Sequence, residues 1–154
     1  MPSYPSANFA GQSKGRLDRR GLFFMEECMS SPKAKLEAEI SDAFIKFQRI
    51  LIGRGPQETK TYVLEDMVLI RLKGVLTVEE EHLAKTEKGR QVVKEMRQIL
   101  RETFSAEAEK LISELCGHKV ISSHSDISTK TGERVEIYIL DTNLGKKLAE
   151  QNNS

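Results

Sequence analysis

Residues 118–141, HKVISSHSDISTKTGERVEIYILD, limit the possible folds more than any other stretch of the chain. Two strand-like runs flank a polar turn containing Thr131-Gly132, which commits this end of the chain to a β-hairpin. The second run, VEIYIL, is a strong strand by its β-branched content and alternation. The first carries Ser122, Ser123, His124, Ser125, Asp126, Ser128 and Thr129, and is weak because hydroxyl side chains offer the backbone competing hydrogen bonds. A weak strand held by a strong one is a place where polar residues can build a site.

The rest of the chain supplies the sheet and its cover. Ser31-Pro32 starts a helix, with Ser as N-cap and Pro at the first helical position. Leu36, Ile40, Phe44, Phe47 and Leu51 then make one apolar stripe to about residue 52, and Gly53 follows as a C-terminal stop. Residues 59–65 and 67–73 read as two strands turning at Glu65-Asp66. Val68, Ile70 and Leu72 share one face; Met67, Leu69, Arg71 and Lys73 share the other. Glu65-Asp66 is a poor type I′ sequence, so one longer bent strand is the alternative. Thr77-Val78-Glu79-Glu80 is a capping box that opens a short acidic helix reaching to near Gly89.

From about 90 to 116, Val92, Val93, Met96, Ile99, Leu100 and Phe104 form one apolar side, continued by Ala108, Leu111, Ile112 and Leu115. The unbroken phase predicts a single long helix ended by Gly117; a new helix capped by Ser105 is the alternative. Asp141-Thr142-Asn143 caps a last helix from 144 to about 150. The order α-β-β-α-α-β-β-α predicts an α+β fold: a four-stranded, mainly antiparallel sheet with helices packed on one face. Residues 1–30, rich in Ser, Gly, Pro and Arg and without period, are expected to be a disordered tail ahead of a single domain over 31–150. A true start at Met25 or Met29 is an equal alternative.

Composition narrows function. A net charge of +1, from 24 basic and 23 acidic residues, argues against a general nucleic-acid binder. Two cysteines, Cys28 and Cys116, without C-x-x-C spacing point to a reducing compartment and no zinc site. No apolar run reaches bilayer length and no leader-like segment opens the chain, so a cytoplasmic location without direct membrane insertion is expected.

The candidate binding residues are His124, Ser125, Asp126, Ser128, Thr129, Lys130, Thr131 and Gly132. His124 and Asp126, two apart on a strand, share a face and with Ser122 can hold an anion or pass a proton; a plain solvent-facing polar strand is the competing reading. The turn Ser128-Thr129-Lys130-Thr131-Gly132-Glu133 offers hydroxyls, an ammonium and a glycine, a composition that can cradle phosphate, although it lacks Walker A spacing. His82, His118 and His124 lie on different elements without metal-ligand spacing, and no G-x-S-x-G elbow is present. The residues therefore indicate no enzyme, no metal and no cofactor.

Two resemblances follow. The order helix-strand-strand-helix-helix-strand is similar to the type II KH fold of RNA-binding domains, which clamps nucleotides with a GXXG loop; the corresponding Thr86-Glu87-Lys88-Gly89-Arg90 has one glycine in acidic surroundings. More specific are three stretches taken together: Thr61-Tyr62-Val63-Leu64-Glu65-Asp66-Met67 leading into VLIRLKGVLT, the acidic helix from Glu79-Glu80-Glu81 to Glu87-Lys88-Gly89-Arg90, and HSDISTKTGE from His124 to Glu133. From about Lys35 to Asp141 the chain resembles the MpsC family of small bacterial proteins. That resemblance implies a non-catalytic accessory or regulatory subunit of a cation-translocating, membrane-potential-generating system linked to inorganic-carbon uptake. It implies protein–protein contact with a membrane-associated partner and a peripheral position at the inner membrane. It carries over no catalytic residue. The alternatives are a KH-like RNA-binding module and a small-anion sensor for bicarbonate or phosphate.

Finally, a sheet covered on one face leaves another face and two edges open, so a homodimer is expected, with Met67, Leu69, Tyr138 and Leu140 on the uncovered face.

Overall fold

The computed structural model describes residues 31–154. The expected tail, the alternative starts Met25 and Met29, and Cys28 lie outside the described residues. The elements run α1 (Pro32–Ile52), β1 (Glu58–Leu64), β2 (Met67–Lys73), α2 (Val78–Leu83), α3 (Glu87–Cys116), β3 (Val120–Ser128), β4 (Glu133–Leu140) and α4 (Leu144–Asn152). This is the predicted order. The four strands form one antiparallel sheet, β1-β2-β4-β3, with β1 and β3 as edges.

Local chemistry sets the boundaries. Ser31 Oγ accepts the Ala34 N–H (3.1 Å) at the start of α1. Helices α1 and α3 both end on a left-handed glycine, Gly53 (φ 75°) and Gly117 (φ 67°). The acidic helix is shorter than expected. It stops at Leu83, because Thr86 caps α3, its hydroxyl accepting the Gly89 N–H (3.0 Å). α3 then runs unbroken through Ser105, whose hydroxyl bonds back to the Glu102 carbonyl (3.2 Å). The two-residue turn at Glu65-Asp66 forms, with Glu65 at φ 56°. Its support is tertiary: the Gly145 N–H donates to the Glu65 carbonyl (2.8 Å), and a Cβ on Gly145 would sit 2.8 Å from the Glu65 nitrogen.

The core lies between the sheet and helices α1 and α3. Ile40 and Phe44 from α1, Val93 and Ile112 from α3, and Val68, Ile70 and Leu72 from β2 are at most 1% exposed. Phe44 meets Tyr138 of β4 edge-on, with ring centroids 6.1 Å apart. α1 also protects an edge. Glu37 Oε1 accepts the outward Val63 N–H of β1 (2.8 Å), and Ser41 and Thr61 share a hydroxyl hydrogen bond (2.8 Å).

Two expectations about faces are corrected. Tyr138 and Leu140 point into the core, 1% and 2% exposed, and Val135, Ile137 and Ile139 point to the uncovered face. The register decides this: Val68 pairs with Tyr138 and Ile70 with Glu136, so Tyr138 and Glu136 share the face of the buried β2 residues. Simple alternation failed because the inward set of β4 includes two charged residues, Arg134 and Glu136, which form an ion pair with each other. On α3, the apolar side is narrower than the sequence suggests. Val93, Ala108 and Ile112 are buried, whereas Val92, Met96 and Ile99 are 40–57% exposed. Arg97, in phase with Val93, occupies the buried position instead.

Cys116 closes α3 in the core, and burial pushes its thiol up to about 11. In a Cys28→Ser variant, native protein at pH 8 should react with a thiol reagent about two orders of magnitude more slowly than urea-unfolded protein, as thiolate supply sets the rate. Equal rates would show that this helix end opens readily.

Candidate functional site

The β3–β4 turn is fixed from within and from beside. Ser128 supplies two acceptors: its carbonyl takes the Gly132 N–H (2.8 Å) and its hydroxyl the Thr131 N–H (3.2 Å). The Gly132 carbonyl then accepts the Val75 N–H (3.1 Å), which ties the turn to the loop after β2. Thr129, Lys130, Thr131 and Gly132 consequently line one wall of an open cleft of about 930 Å³. The opposite wall comes from the α2–α3 junction.

The cleft is basic. Lys73, Lys85, Arg90 and Lys130 line it, against Glu81 and Glu133. Glu133 is further neutralised by a two-pronged bridge from Arg71 (2.9 Å for each prong), and hydrogen bonding to that guanidinium holds its carboxyl below the usual range. Lys73 is bound to Glu58 (3.1 Å). Lys85 meets His82 Nδ1 (3.1 Å) and Arg90 donates to the Ala84 carbonyl (3.2 Å), and neither joins an ion pair among the described residues. Lys130 joins no ion pair among the described residues. The N-terminus of the thirty-residue α3 adds its positive dipole end nearby. Such a surface attracts negative charge. Among the described residues, no histidine or cysteine lines it.

The fold does not bring the eight expected residues together. Thr129 to Gly132 line the cleft and Ser128 braces the turn. His124 and Asp126 are exposed on the uncovered sheet face, opposite Ile137 and Val135. No ion pair joins them; Asp126 Oδ1 accepts the Ile127 N–H instead (2.8 Å). Ser125 points to the helix face, where it accepts from Arg134 Nε (3.2 Å).

That helix face holds a charged seam the sequence reading missed. Arg134 pairs with Glu136, and the Tyr138 hydroxyl donates to Glu136 Oε2 (3.3 Å). Burial, reinforced by the Glu136 charge, pushes the Tyr138 phenol up. Beside it, Arg101 donates to Ser123 Oγ (2.9 Å), which donates to Glu109 (2.5 Å). Further along α3, Arg97 and Glu80 form a second buried pair. The available signal was Arg134, Glu136 and Tyr138 at spacing two on one strand. The cavity above the seam, between Phe44, Phe104 and Arg101, offers about 20 Å³, room for about one water. The seam is therefore a structural network.

The segment 86–90, where a KH-like module would carry its GXXG loop, is instead the cap and first turn of α3. Gly89 is buried there: a Cβ would come within 1.7 Å of the Leu83 carbonyl oxygen. Among the described residues, no three or more His, Cys, Asp or Glu side chains are grouped to hold a metal ion, and no helix is long and apolar enough to cross a membrane.

Residues 32–142 match the family model described as "Na+-translocating membrane potential-generating system (MpsC)". The chain is similar to two Bacillus subtilis (strain 168) proteins. It is 35% identical to the uncharacterized protein YbcI over 120 residues, 78% of this chain and 97% of that one. It is 29% identical to the uncharacterized protein YrhF over 114 residues, 73% and 90% of the two chains. No solved structure matches it significantly. The matched span takes in all four strands, the cleft and the charged seam, and the chain belongs to the MpsC family.

Proposed function

We propose that this chain is a non-catalytic accessory subunit of a Na+-translocating, membrane-potential-generating system, and that it acts by holding an acidic segment of a membrane-associated protein in the cleft beside the β3–β4 turn. The family description supports the system. The single observation that carries the mode of action is the cleft's excess of cations: among the described residues, Lys85, Arg90 and Lys130 have no carboxylate partner of their own. The cleft is open and, among the described residues, holds no nucleophile–base pair, which suits docking better than chemistry. The subunit then sits on the cytoplasmic side of the inner membrane, held there by its partner.

The test is recovery of an integral membrane protein from detergent-solubilised native membranes. Wild-type chain should retain it at low salt and release it as ionic strength rises, because exposed charge pairs are screened. Lys85→Glu/Lys130→Glu should lower recovery about tenfold or more with an unchanged unfolding midpoint. Unchanged recovery would remove the cleft from the reading. A second reading rests on Thr129 and Thr131 lining the same wall as Lys130: these groups suit a small oxyanion, making the subunit a phosphate or bicarbonate sensor. Calorimetry with each anion decides it, since heat that disappears in Lys130→Ala favours the sensor.

A further inference from the structure

The sheet has a second face that none of the described helices covers. Tyr62, Met67, Leu69, Val135, Ile137 and Ile139 are half-buried there in adjoining register positions: Leu69 pairs with Tyr62 on one side and Ile137 on the other. An apolar patch in the middle of a sheet face calls for an occupant. The charges that frame it are asymmetric. In one row across the sheet, Lys60 of β1 lies level with Arg71, then Val135, then Asp126 of β3. The β1 edge of the row is basic and the β3 edge acidic. Arg71 is already engaged by Glu133, but Lys60 and Asp126 are exposed, and neither joins an ion pair among the described residues.

We propose that the occupant is a second copy of this chain, packed sheet to sheet about a two-fold axis parallel to the strands. Sheets packed face to face keep their strands roughly aligned, which leaves two candidate axes in the interface plane. An axis parallel to the strands lays β1 over the partner's β3 and keeps each row opposite itself. Lys60 then faces Asp126 of the partner subunit, and Leu69 faces Ile137 of the partner subunit. An axis perpendicular to the strands lays β1 over β1 and, centred on the row of Tyr62 and Leu69, reverses the rows, setting Lys60 over Leu64 of the partner subunit in place of a carboxylate. Arg71 keeps its bridge to Glu133 in either arrangement, but covering Lys60 without a carboxylate is costly, so the first axis is selected. His124 and Asp126, split from the turn residues by the fold, thereby gain a role at the rim of the interface. The cleft residues Lys85, Arg90 and Lys130 are not part of this face.

Zero-length carbodiimide coupling of the full chain tests the arrangement. Lys60 and Asp126 of one subunit are three strand spacings apart, about 14 Å, too far to couple within a chain. A covalent dimer whose cross-linked peptides join Lys60 to Asp126 is the expected product. Lys60→Glu alone should weaken dimerisation, read by analytical ultracentrifugation, about tenfold, and Lys60→Glu/Asp126→Lys should restore it. Leu69→Asp should give a folded monomer. A wild-type monomer at high concentration would overturn the proposal. So would a dimer indifferent to the charge swap, or coupling of Lys60 to Asp18, Glu26 or Glu27, which would place residues 1–30 on this face instead.

Discussion

Replacing Arg97 by alanine is expected to lower the free energy of unfolding by about 3–5 kcal/mol, the scale seen when one partner of a buried ion pair is removed. Arg97 and Glu80 side chains are 3% and 5% exposed. Arg97 donates through Nε to Glu80 Oε1 (2.7 Å), and through Nη2 to Glu80 Oε2 (2.5 Å) and the Val75 carbonyl (2.7 Å). Glu80 Oε2 also accepts the Thr77 N–H (2.7 Å), so one carboxylate closes the α2 cap and docks α2 on α3. Without Arg97 that carboxylate is stranded. Replacing both residues with methionine should cost less than the sum of the single changes by more than about 1 kcal/mol, because neither charge is then left alone.

The same pair sets a pH dependence. Burial raises the Glu80 carboxyl, but the Arg97 and Thr77 hydrogen bonds outweigh it and the net direction is downward. A carboxyl depressed in the folded state adds stability that is present above its unfolded value and lost as pH falls through the folded one. In Arg97→Ala the buried carboxyl is relieved by protonation. The stability gap between wild type and variant should therefore be wide at pH 7 and narrow at pH 3 in urea titrations. A constant gap would show that the ion pair is not the source of the effect.

The second large effect is expected at Gly89. Its α-carbon packs against the end of α2, where an added Cβ would lie 1.7 Å from the Leu83 carbonyl oxygen and 2.5 Å from its carbon. The obstacle is backbone, so relief requires α2 and α3 to separate. Gly89→Ala should cost about 3 kcal/mol, at the upper end for overpacking, despite alanine's better helix propensity. It should also weaken partner capture through the cleft, since Lys85 and Arg90 flank this junction. A loss below about 1 kcal/mol, measured by chemical denaturation, would show that the junction yields easily.

Element identity was legible in the sequence because it rests on local chemistry. The Ser31-Pro32 start, the Thr77–Glu80 box and the glycines at 53 and 117 act within a turn of themselves, and each lies where the pattern placed it. The α+β order followed from periods of two and about 3.6. The turn residues Thr129–Gly132 were also legible as candidates by composition, but not their neighbours: Lys73, Lys85 and Arg90 reach the cleft from elements some 40 residues or more away in the chain. Which face of β4 is inside was decided by tertiary structure alone. Val135, Ile137 and Ile139 are the more apolar set, yet pairing of Tyr138 with Val68 turns them outward, and the inward Arg134 is tolerated because Glu136 neutralises it. A strand's alternation fixes which residues share a face. Which face meets the helices depends on partners that can neutralise the buried charges, and those partners are brought together only by the fold.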